Sequence, residues 1–160
     1  MELKKCADRT LKKRVDTEAD KPFELPAVKL SDGKKAEDYM PAIKALFASL
    51  MEAEESTDDQ LYSICFSGLD IGYVRLVGIS TKTPEIQIAL LPDFWGRGIA
   101  LDVMNFALPI FREEYHPDYF IWHANANNKA STNLALNVGG TLDVDATEAV
   151  GGIVETYRIP

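Results

Sequence analysis

The feature that most constrains this chain is a glycine-containing loop between a strand-like segment and a helix-like segment. Its sequence is Trp95-Gly96-Arg97-Gly98-Ile99-Ala100. The two glycines allow backbone N–H groups to turn toward one point, and the start of the following helix adds partial positive charge there. Such a loop accommodates a pyrophosphate. A glycine turn that serves only for packing is the structural alternative.

Two other phosphate-binding motifs do not match this loop. The dinucleotide fingerprint needs a third glycine and a later acidic residue for the ribose, and both are missing here. A P-loop needs Gly-Lys-Ser or Gly-Lys-Thr, and no such run follows Gly98. The loop therefore indicates a phosphate site of another class.

Three consecutive strand-like segments precede the loop, over residues 61–66, 71–79 and 85–91. In the third segment, one face carries the apolar side chains of Ile86, Ile88 and Leu90, and the other carries the side chains of Glu85, Gln87 and Ala89. Short turns separate the segments. This pattern predicts three strands that follow one another in the sheet.

The segments after the loop alternate between helix and strand. A helix is predicted from Arg97, because apolar residues recur at helical spacing, and a buried strand over 119–123 follows it. Asn128 can cap a second helix that ends at Gly139-Gly140. A terminal hairpin is predicted from residues 141–146 and 153–159. The element order predicts an α/β domain with a mixed sheet.

The N-terminal part carries weaker patterns. Residues 1–30 are interpreted as an N-terminal extension, with a possible first strand over 23–30, and residues 31–160 as a single domain. Apolar residues at helical spacing predict an amphipathic helix over about 37–55. An acidic run, 52–59, closes this helix; a solvated helix end is one interpretation and a wall that attracts a cationic partner is the other.

Composition and charge argue against several classes of function. The formal net charge of -8 argues against nucleic acid as the main ligand. The longest apolar stretch is interrupted by Asp102 and is too short for a bilayer span, and the first residues do not resemble a signal peptide. Cys6 and Cys65 match no disulfide or metal-ligand spacing. We expect a cytoplasmic protein with no metal and no membrane partner.

The glycine loop resembles the acetyl-CoA loop of the GNAT superfamily of N-acetyltransferases, which reads Arg/Gln-x-x-Gly-x-Gly/Ala. Gly98 and Ala100 match, and Trp95 stands where the family most often has Arg or Gln. A Trp-Gly-x-Gly-x-Ala loop is typical of the branch that resembles the ribosomal-protein N-terminal acetyltransferases, the RimJ/RimL type. The helix start Asn128-Lys129-Ala130-Ser131 resembles a second motif of that branch.

Two positions depart from the family pattern. Gly140 replaces the usual phenylalanine after the second helix. Ala135 stands where many relatives place a tyrosine that protonates the departing thiolate. The binding motifs are therefore present, whereas the usual general acid has no direct equivalent.

The resemblance implies a mixed, mostly antiparallel central sheet flanked by helices, with a splayed pair of strands that holds CoA. It assigns residues 95–100 to the pyrophosphate of acetyl-CoA, with Arg97 as an additional cation. It also implies that backbone groups near Leu90 and Leu91 pair with pantetheine and polarise the thioester carbonyl. Asn128 would contact the same region, and its structural alternative is a helix cap alone.

Three side chains are candidates for moving protons. Related enzymes often use a strand glutamate that deprotonates the amine through water, which favours Glu85; a solvated carboxylate at a strand start is its alternative. His123 is the rival base, because an imidazole exchanges a proton near neutral pH. It would otherwise be a satisfied core or rim histidine. Ser131 is the candidate that hydrogen-bonds the cofactor or the sulfur, and either its hydroxyl or water would protonate the thiolate; a serine without a role in the first turn of a helix is its alternative.

Three functional hypotheses follow. The first is an acetyl-CoA-dependent N-acetyltransferase whose acceptor is a primary amine, either a small molecule or a protein N-terminus. The second is a catalytically impaired CoA-binding or regulatory relative, and the third is an interaction domain whose glycine loop is only structural. The chain is expected to be a monomer or a homodimer.

Overall fold

A computed structural model describes residues 2–6, 14–15, 36–39, 41–42, 45, 58–66 and 69–160. These residues form an eight-stranded sheet of order β2-β1-β3-β4-β5-β6-β8-β7. The strands are β1 (Glu2–Cys6), β2 (Arg14–Val15), β3 (Asp59–Phe66), β4 (Leu69–Val77), β5 (Glu85–Leu90), β6 (Phe120–Asn125), β7 (Thr141–Leu142) and β8 (Val154–Ile159). The helices with described bounds are α1 (Ile99–Tyr115), α2 (Lys129–Asn137) and α3 (Val144–Ala149), and short 3-10 turns cover Ala36–Tyr39 and Pro92–Phe94.

The sheet is mixed and mostly antiparallel, which confirms the predicted fold class. Every described pairing is antiparallel except that of β5 with β6. The connection between these two strands is α1, as expected for a parallel pair that needs a crossover. The glycine loop therefore lies between β5, the last of three consecutive antiparallel strands, and the crossover helix α1.

Helix α1 covers one face of the sheet. The ring of Phe111 lies 5.0 Å from that of Tyr62 on β3 and 6.5 Å from that of Phe120 on β6. All three side chains are almost fully buried. These contacts show that Tyr62 and Phe120 lie on the face that α1 covers. Because successive side chains of a strand point to opposite faces, the faces of the neighbouring strand residues follow by alternation.

The C-terminal segment differs from the predicted hairpin. β7 and β8 do pair antiparallel, but β7 has only 2 residues, and the sequence after it forms α3. The prediction of a strand over 141–146 is therefore wrong beyond Leu142. The physical reason is a helix cap: the side chain of Asp143 accepts a hydrogen bond from Ala146 N at 3.1 Å.

The N-terminal part also differs from the sequence-based picture. The structure has a strand, β1, that pairs antiparallel with β3 and was not predicted. The strand predicted over 23–30 lies outside the described residues. Most of the helix predicted over 37–55 also lies outside them, although residues 41, 42 and 45 are helical.

Candidate functional site

β5 and β6 separate almost as soon as they meet. Within the described residues they share one register pair, Glu85↔Ile121. The other edge of β5 stays paired with β4 along its whole length, and Leu91 N continues this ladder by donating to Ile71 O at 2.8 Å. The result is a gap in the sheet that opens toward the carboxyl ends of both strands.

The ladder determines which backbone groups face the gap. In an antiparallel pair, alternate residues direct their N–H and C=O groups to the partner strand. The Leu91 bond places the odd-numbered residues of β5 toward β4. Ile88 and Leu90 consequently direct their backbone groups toward the gap, whereas Leu91 does not. Of the two residues predicted to offer backbone groups, Leu90 therefore faces the gap, whereas the N–H of Leu91 is used in the β4 ladder.

A cavity of about 530 Å³ lies at this gap. Eight of the residues predicted for cofactor binding line it: Leu90, Trp95, Gly96, Gly98, Ile99, Ala100, Asn128 and Ser131. The loop and the second motif, 28 or more residues apart in the chain, therefore meet at one site. Further lining residues that were not predicted are Ile88, Ala89, Phe94, Trp122, Ala130 and Leu134.

The glycine loop packs against the core on one side and is open on the other. Phe94 is 1% exposed, and its ring lies 5.5 Å from that of Tyr39. Gly96 and Gly98 have φ values of 70° and 75°, in the left-handed region that favours glycine. Apart from each glycine and its two chain neighbours, no atom of the described residues lies within 4 Å of where a Cβ at either glycine would be. The glycines are therefore needed for backbone conformation, and the described part of the chain leaves the space in front of them open.

The start of α1 leaves backbone donors available to that space. Gly98 is the N-cap and has no side chain to accept from the first turn. The first helical N–H that bonds within the helix is that of Asp102, which donates to Gly98 O at 3.1 Å. The preceding N–H groups and the helix dipole together favour an anion. The guanidinium of Arg97, which is exposed, lies 5.5 Å from the centre of the Phe94 ring.

The start of α2 brings three side chains together. Asn128 is the N-cap, and its Oδ1 accepts a hydrogen bond from Ser131 N at 3.2 Å. Trp122 Nε1 donates to Ser131 Oγ at 3.2 Å. Because an indole N–H is only a donor, the hydroxyl proton of Ser131 is not used in this contact. Asn128 therefore has its structural role as a cap, and Ser131 retains a proton beside the cavity.

A second hydroxyl on the same face of the sheet is engaged elsewhere. Tyr157 lies opposite Trp122 in the β6–β8 ladder, and its hydroxyl donates to the carboxylate of Glu155. Burial, together with this hydrogen bond, raises the pKa of Tyr157 to about 12. Tyr157 therefore remains protonated at neutral pH, with its proton held by Glu155.

The remaining predicted residues do not line the cavity. Glu85 lies at the closed end of the gap, where its Oε1 accepts from Gln87 Nε2 at 3.2 Å. His123 is exposed, and its Nδ1 lies 3.1 Å from Thr156 Oγ1. By strand alternation both lie on the face opposite α1. The buried Leu91, only 3% exposed, and the exposed Arg97 also lie outside the cavity lining.

The two departures from the family pattern are packed together. Gly140 N donates to Ala135 O at 2.8 Å, and Ala135 is fully buried. A Cβ at Gly140 would lie 2.6 Å from that carbonyl oxygen and 3.3 Å from Ile159 Cγ1. A phenylalanine at position 140 would therefore displace the end of α2, which explains the glycine.

Among the described residues, no three His, Cys, Asp or Glu side chains are grouped so that they could hold a metal ion. In the same part of the chain, no helix is long and apolar enough to cross a membrane.

Comparison with known proteins identifies the family. A family model described as "Acetyltransferase (GNAT) domain" matches residues 22–141, which is most of the chain. The chain therefore belongs to the GNAT acetyltransferase family and is an acyltransferase. No curated protein sequence matches it.

Solved structures show the same fold at low sequence identity. The chain is similar to a mutant of spermidine N-acetyltransferase SpeG from Vibrio cholerae, with 18% identity, coverage of 74% of this chain and 73% of that one, and a TM-score of 0.55. It is similar to Campylobacter jejuni N-acetyltransferase PseH in complex with acetyl coenzyme A, with 14% identity, coverage of 78% and 81%, and a TM-score of 0.56. It is also similar to the microcin C7 self-immunity acetyltransferase MccE in complex with acetyl-CoA and AMP, with 20% identity, coverage of 78% and 71%, and a TM-score of 0.53.

Proposed function

We propose that this protein is an acetyl-CoA-dependent N-acetyltransferase of the RimJ/RimL-like branch, which transfers an acetyl group to a primary amine. The observation that carries the proposal is the cavity in the gap between β5 and β6, with the open helix start of α1 at its rim. Its residues fit the donor, because a pyrophosphate needs convergent N–H groups and pantetheine needs backbone partners. When bound, acetyl-CoA supplies the activated acetyl group.

The donor is proposed to bind along the cavity in two parts. The loop of residues 95–100 and the first turn of α1 hold the pyrophosphate, with Arg97 as an additional cation. The backbone of Ile88 and Leu90 pairs with the pantetheine amides and polarises the thioester carbonyl, because these groups face the gap. Asn128 is fixed at the same cavity by its cap bond.

Ser131 is proposed as the group that protonates the departing sulfur. The amine nitrogen forms a bond to the carbonyl carbon and gives its proton to the base, and the carbon–sulfur bond breaks. The thiolate takes a proton from Ser131, which regains one from water. Ser131 lines the cavity and has its hydroxyl oxygen fixed by Trp122, so its proton is directed to another acceptor. This arrangement provides a substitute for the tyrosine that Ala135 replaces.

The base that receives the amine proton is proposed to act from the other face of the sheet. Glu85 and His123 both lie on that face, one on each strand of the gap. An amine that reaches the gap from this face has both side chains within the same region, either directly or through water. The two remain alternatives, and the pH dependence of kcat/KM for Glu85→Gln and His123→Gln distinguishes them.

The acceptor is proposed to be a small cationic amine or a protein N-terminus. SpeG is named a spermidine N-acetyltransferase, which makes polyamines natural compounds to test. The net charge of -8 favours the approach of a cation.

The proposal is tested by incubating the protein with acetyl-CoA and a panel of polyamines, amino sugars and peptides with free N-termini. Release of the CoA thiol and an acetylated product detected by mass spectrometry are expected for at least one class. Absence of CoA release over the whole panel contradicts the activity.

A catalytically impaired CoA-binding protein is the second candidate, and the alanine at position 135 favours it. It predicts thermal stabilisation by acetyl-CoA without turnover. A ligand at 100 times its dissociation constant stabilises by about 2.7 kcal/mol. Absence of stabilisation by any CoA thioester contradicts both candidates.

A further inference from the structure

Glu85 and His123 lie on the same face of the sheet, opposite α1, but their contacts differ. His123 is contacted by a residue of β8, whereas Glu85 is contacted by a residue of its own strand. A base needs an unprotonated atom that the amine can reach, and a hydrogen-bond donor needs a proton there. The contacts of the two side chains therefore decide which of them can fill which role.

The contact of His123 is with the hydroxyl of Thr156. The two residues lie directly opposite each other in the β6–β8 ladder, and Thr156 Oγ1 lies 3.1 Å from His123 Nδ1. Thr156 is only 7% exposed, whereas His123 is exposed. One ring nitrogen, Nδ1, is therefore turned toward a buried side chain, which leaves Nε2 for solvent or a ligand.

Thr156 is held in place from the outer edge of β8. Its N–H donates to Thr147 Oγ1 at 3.0 Å, and its C=O accepts from Asp143 N at 2.7 Å. Because both backbone groups are directed toward α3 and its cap, Thr156 and His123 form a non-hydrogen-bonded pair of the ladder, in which side chains lie closer together. The position of the Thr156 hydroxyl is thus set independently of the imidazole.

The hydroxyl proton determines the tautomer of His123. Among the residues that the structure describes, Thr156 Oγ1 has no hydrogen-bond partner other than His123 Nδ1. A buried hydroxyl donates its proton where an acceptor is present, and Nδ1 accepts only when it is unprotonated. A neutral His123 then carries its proton on Nε2. The exposed nitrogen is therefore a donor and has no lone pair to take a proton from the amine.

The contacts of Glu85 have the opposite effect. Gln87 Nε2 donates to Glu85 Oε1 at 3.2 Å, and Gln87 Oε1 lies 3.5 Å from Arg75 Nη1. Arg75 is itself paired with Asp59, with Nη2 2.6 Å from Oδ2. The cation attracts the oxygen of the Gln87 amide and so directs the NH₂ group toward the carboxylate. In the described part of the chain Glu85 Oε2 accepts no hydrogen bond, so this oxygen can receive a proton.

We propose that Thr156 and Gln87 are positioning residues: Thr156 holds His123 as a hydrogen-bond donor to the acceptor, and Gln87 holds Glu85 as the base. The amine nitrogen gives its proton to Glu85 Oε2, from which water removes it. His123 keeps its Nε2 proton throughout. This inference rests on the proposed function, since it assigns roles within the same acceptor site.

The Nε2–H donor also favours one class of acceptor. It can bind a hydroxyl or carbonyl oxygen beside the reacting amine, as an amino sugar or a peptide N-terminus provides. The other nitrogens of a polyamine are protonated at neutral pH and offer no lone pair. The acceptor is therefore an amine that carries a neighbouring oxygen, and not a polyamine.

The tautomer of His123 is measured without turnover. Long-range proton–nitrogen NMR correlations of the nitrogen-labelled protein, in buffer alkaline enough to keep imidazoles neutral, show which ring nitrogen carries the proton. The chain has two histidines, so His116, exposed at the end of α1, is an internal reference. We expect His123 to carry its proton on Nε2. Thr156→Val keeps the side-chain shape without the hydroxyl and should mix the two tautomers, and Thr156→Ser should restore the wild-type state.

Two results of this measurement would overturn the inference. The first is a proton on Nδ1 of His123 in wild type, which is decisive even if Thr156→Val does not fold. The second is a spectrum that Thr156→Val leaves unchanged, because the hydroxyl would then not determine the tautomer.

Kinetics test the two roles separately. His123→Gln supplies an amide N–H and should keep kcat/KM within about threefold of wild type, whereas Glu85→Gln should lose more than about tenfold. Gln87→Met should lower kcat by about tenfold with little change in KM, the equivalent of one hydrogen bond to a charged group. Thr156→Val should instead raise the KM of the amine by about threefold, and Thr156→Ser should restore it. His116→Asn is the control and should match wild type.

Three acceptors distinguish the sources of the oxygen: an amino sugar, a peptide with a free N-terminus, and spermidine. Either of the first two is expected to have a higher kcat/KM than spermidine. This preference should decrease in His123→Leu, which has no donor, and persist in His123→Gln. A preference for spermidine would overturn the assignment of the acceptor class.

Failure of the inference and failure of the proposed function give different results. If no CoA thioester binds and no amine is acetylated, the proposed function is wrong, whatever the tautomer of His123. If acetylation occurs and His123→Gln is impaired as severely as Glu85→Gln, the inference is wrong and the function stands.

Discussion

Helices α1 and α2 both begin at the rim of the same cavity, but their first turns are satisfied in different ways. α2 begins at Asn128, whose side chain accepts from Ser131 N, and α3 likewise begins at Asp143, which accepts from Ala146 N. α1 begins at Gly98, which offers no such group. A side-chain cap stabilises a helix by about 1 kcal/mol. The chain thus leaves uncapped the helix start that faces the glycine loop, where a bound anion would replace the cap.

The largest expected effect on activity concerns the capped start of α2. Ser131→Ala removes the hydroxyl that Trp122 holds at the cavity, and loss of a general acid is expected to lower kcat by about 100-fold. The affinity for CoA should change little, because the cap bond uses the backbone N–H of Ser131. Steady-state kinetics and calorimetric titration of the same samples provide the two values.

Ser131→Thr is the matched variant for this experiment, since it keeps a hydroxyl and should retain most of kcat. An alanine variant as active as wild type would remove Ser131 from the reaction and reduce the start of α2 to a structural cap.

The uncapped start is tested by Gly98→Ala. A side chain is strained at a φ of 75°, and a methyl group would enter the open space in front of the loop. We expect the affinity for CoA to fall by about tenfold, which calorimetric titration measures. Gly151→Ala is the matched control, with a φ of 82° and no described atom beyond its chain neighbours within 4 Å of its Cβ position. Equal CoA affinity in the two variants would show that the loop is only structural.

Removal of a cap should affect stability more than binding. Asn128→Ala leaves the first turn of α2 without its acceptor and is expected to lower the free energy of unfolding by about 1 kcal/mol. Urea denaturation measures this change. Asn128→Ser restores a capping oxygen and should recover most of the loss; if both variants match wild type, the cap bond does not stabilise the helix.

The smallest effect is expected at α3 and depends on pH. The hydrogen bond from Ala146 N and the pairing with Arg158 lower the pKa of Asp143 below its usual value. A carboxyl with a lowered folded-state pKa stabilises the fold above its unfolded-state pKa, and this contribution is lost as pH falls through the folded-state value. Thermal unfolding should therefore show Asp143→Asn less stable than wild type near pH 7, with the difference vanishing in acid. A difference that is independent of pH would contradict the charge contribution.

Local signals made much of the fold and site predictable. The glycine loop, the N-cap at Asn128 and the alternation of β5 depend on residues close in sequence, and all three are found in the structure. The strand predicted through residue 146 failed because a single side chain, Asp143, begins a helix in an otherwise strand-like run.

The features that escaped prediction depend on contacts between distant residues. The hydrogen bond from Leu91 N to Ile71 O on β4 determines that the backbone groups of Leu90, and not those of Leu91, face the gap. The Ser131 hydroxyl is oriented by its hydrogen bond from Trp122 Nε1. The strand pattern of the sequence identifies Trp122 only as a core residue. The strand pattern likewise gave the face of Glu85 but not its position at the closed end of the gap.

The early separation of β5 and β6 has a consequence for solubility as well as for binding. A strand edge with unpaired N–H and C=O groups can recruit strands of other molecules and so promote aggregation. Here the unpaired stretch lies inside the sheet, between β6 and the glycine loop, and Trp95 already occupies its last carbonyl. Because this edge lies inside the sheet, strands of other molecules reach it less easily than they would reach an outer strand. The opening is therefore compatible with a protein that does not aggregate in the absence of a ligand.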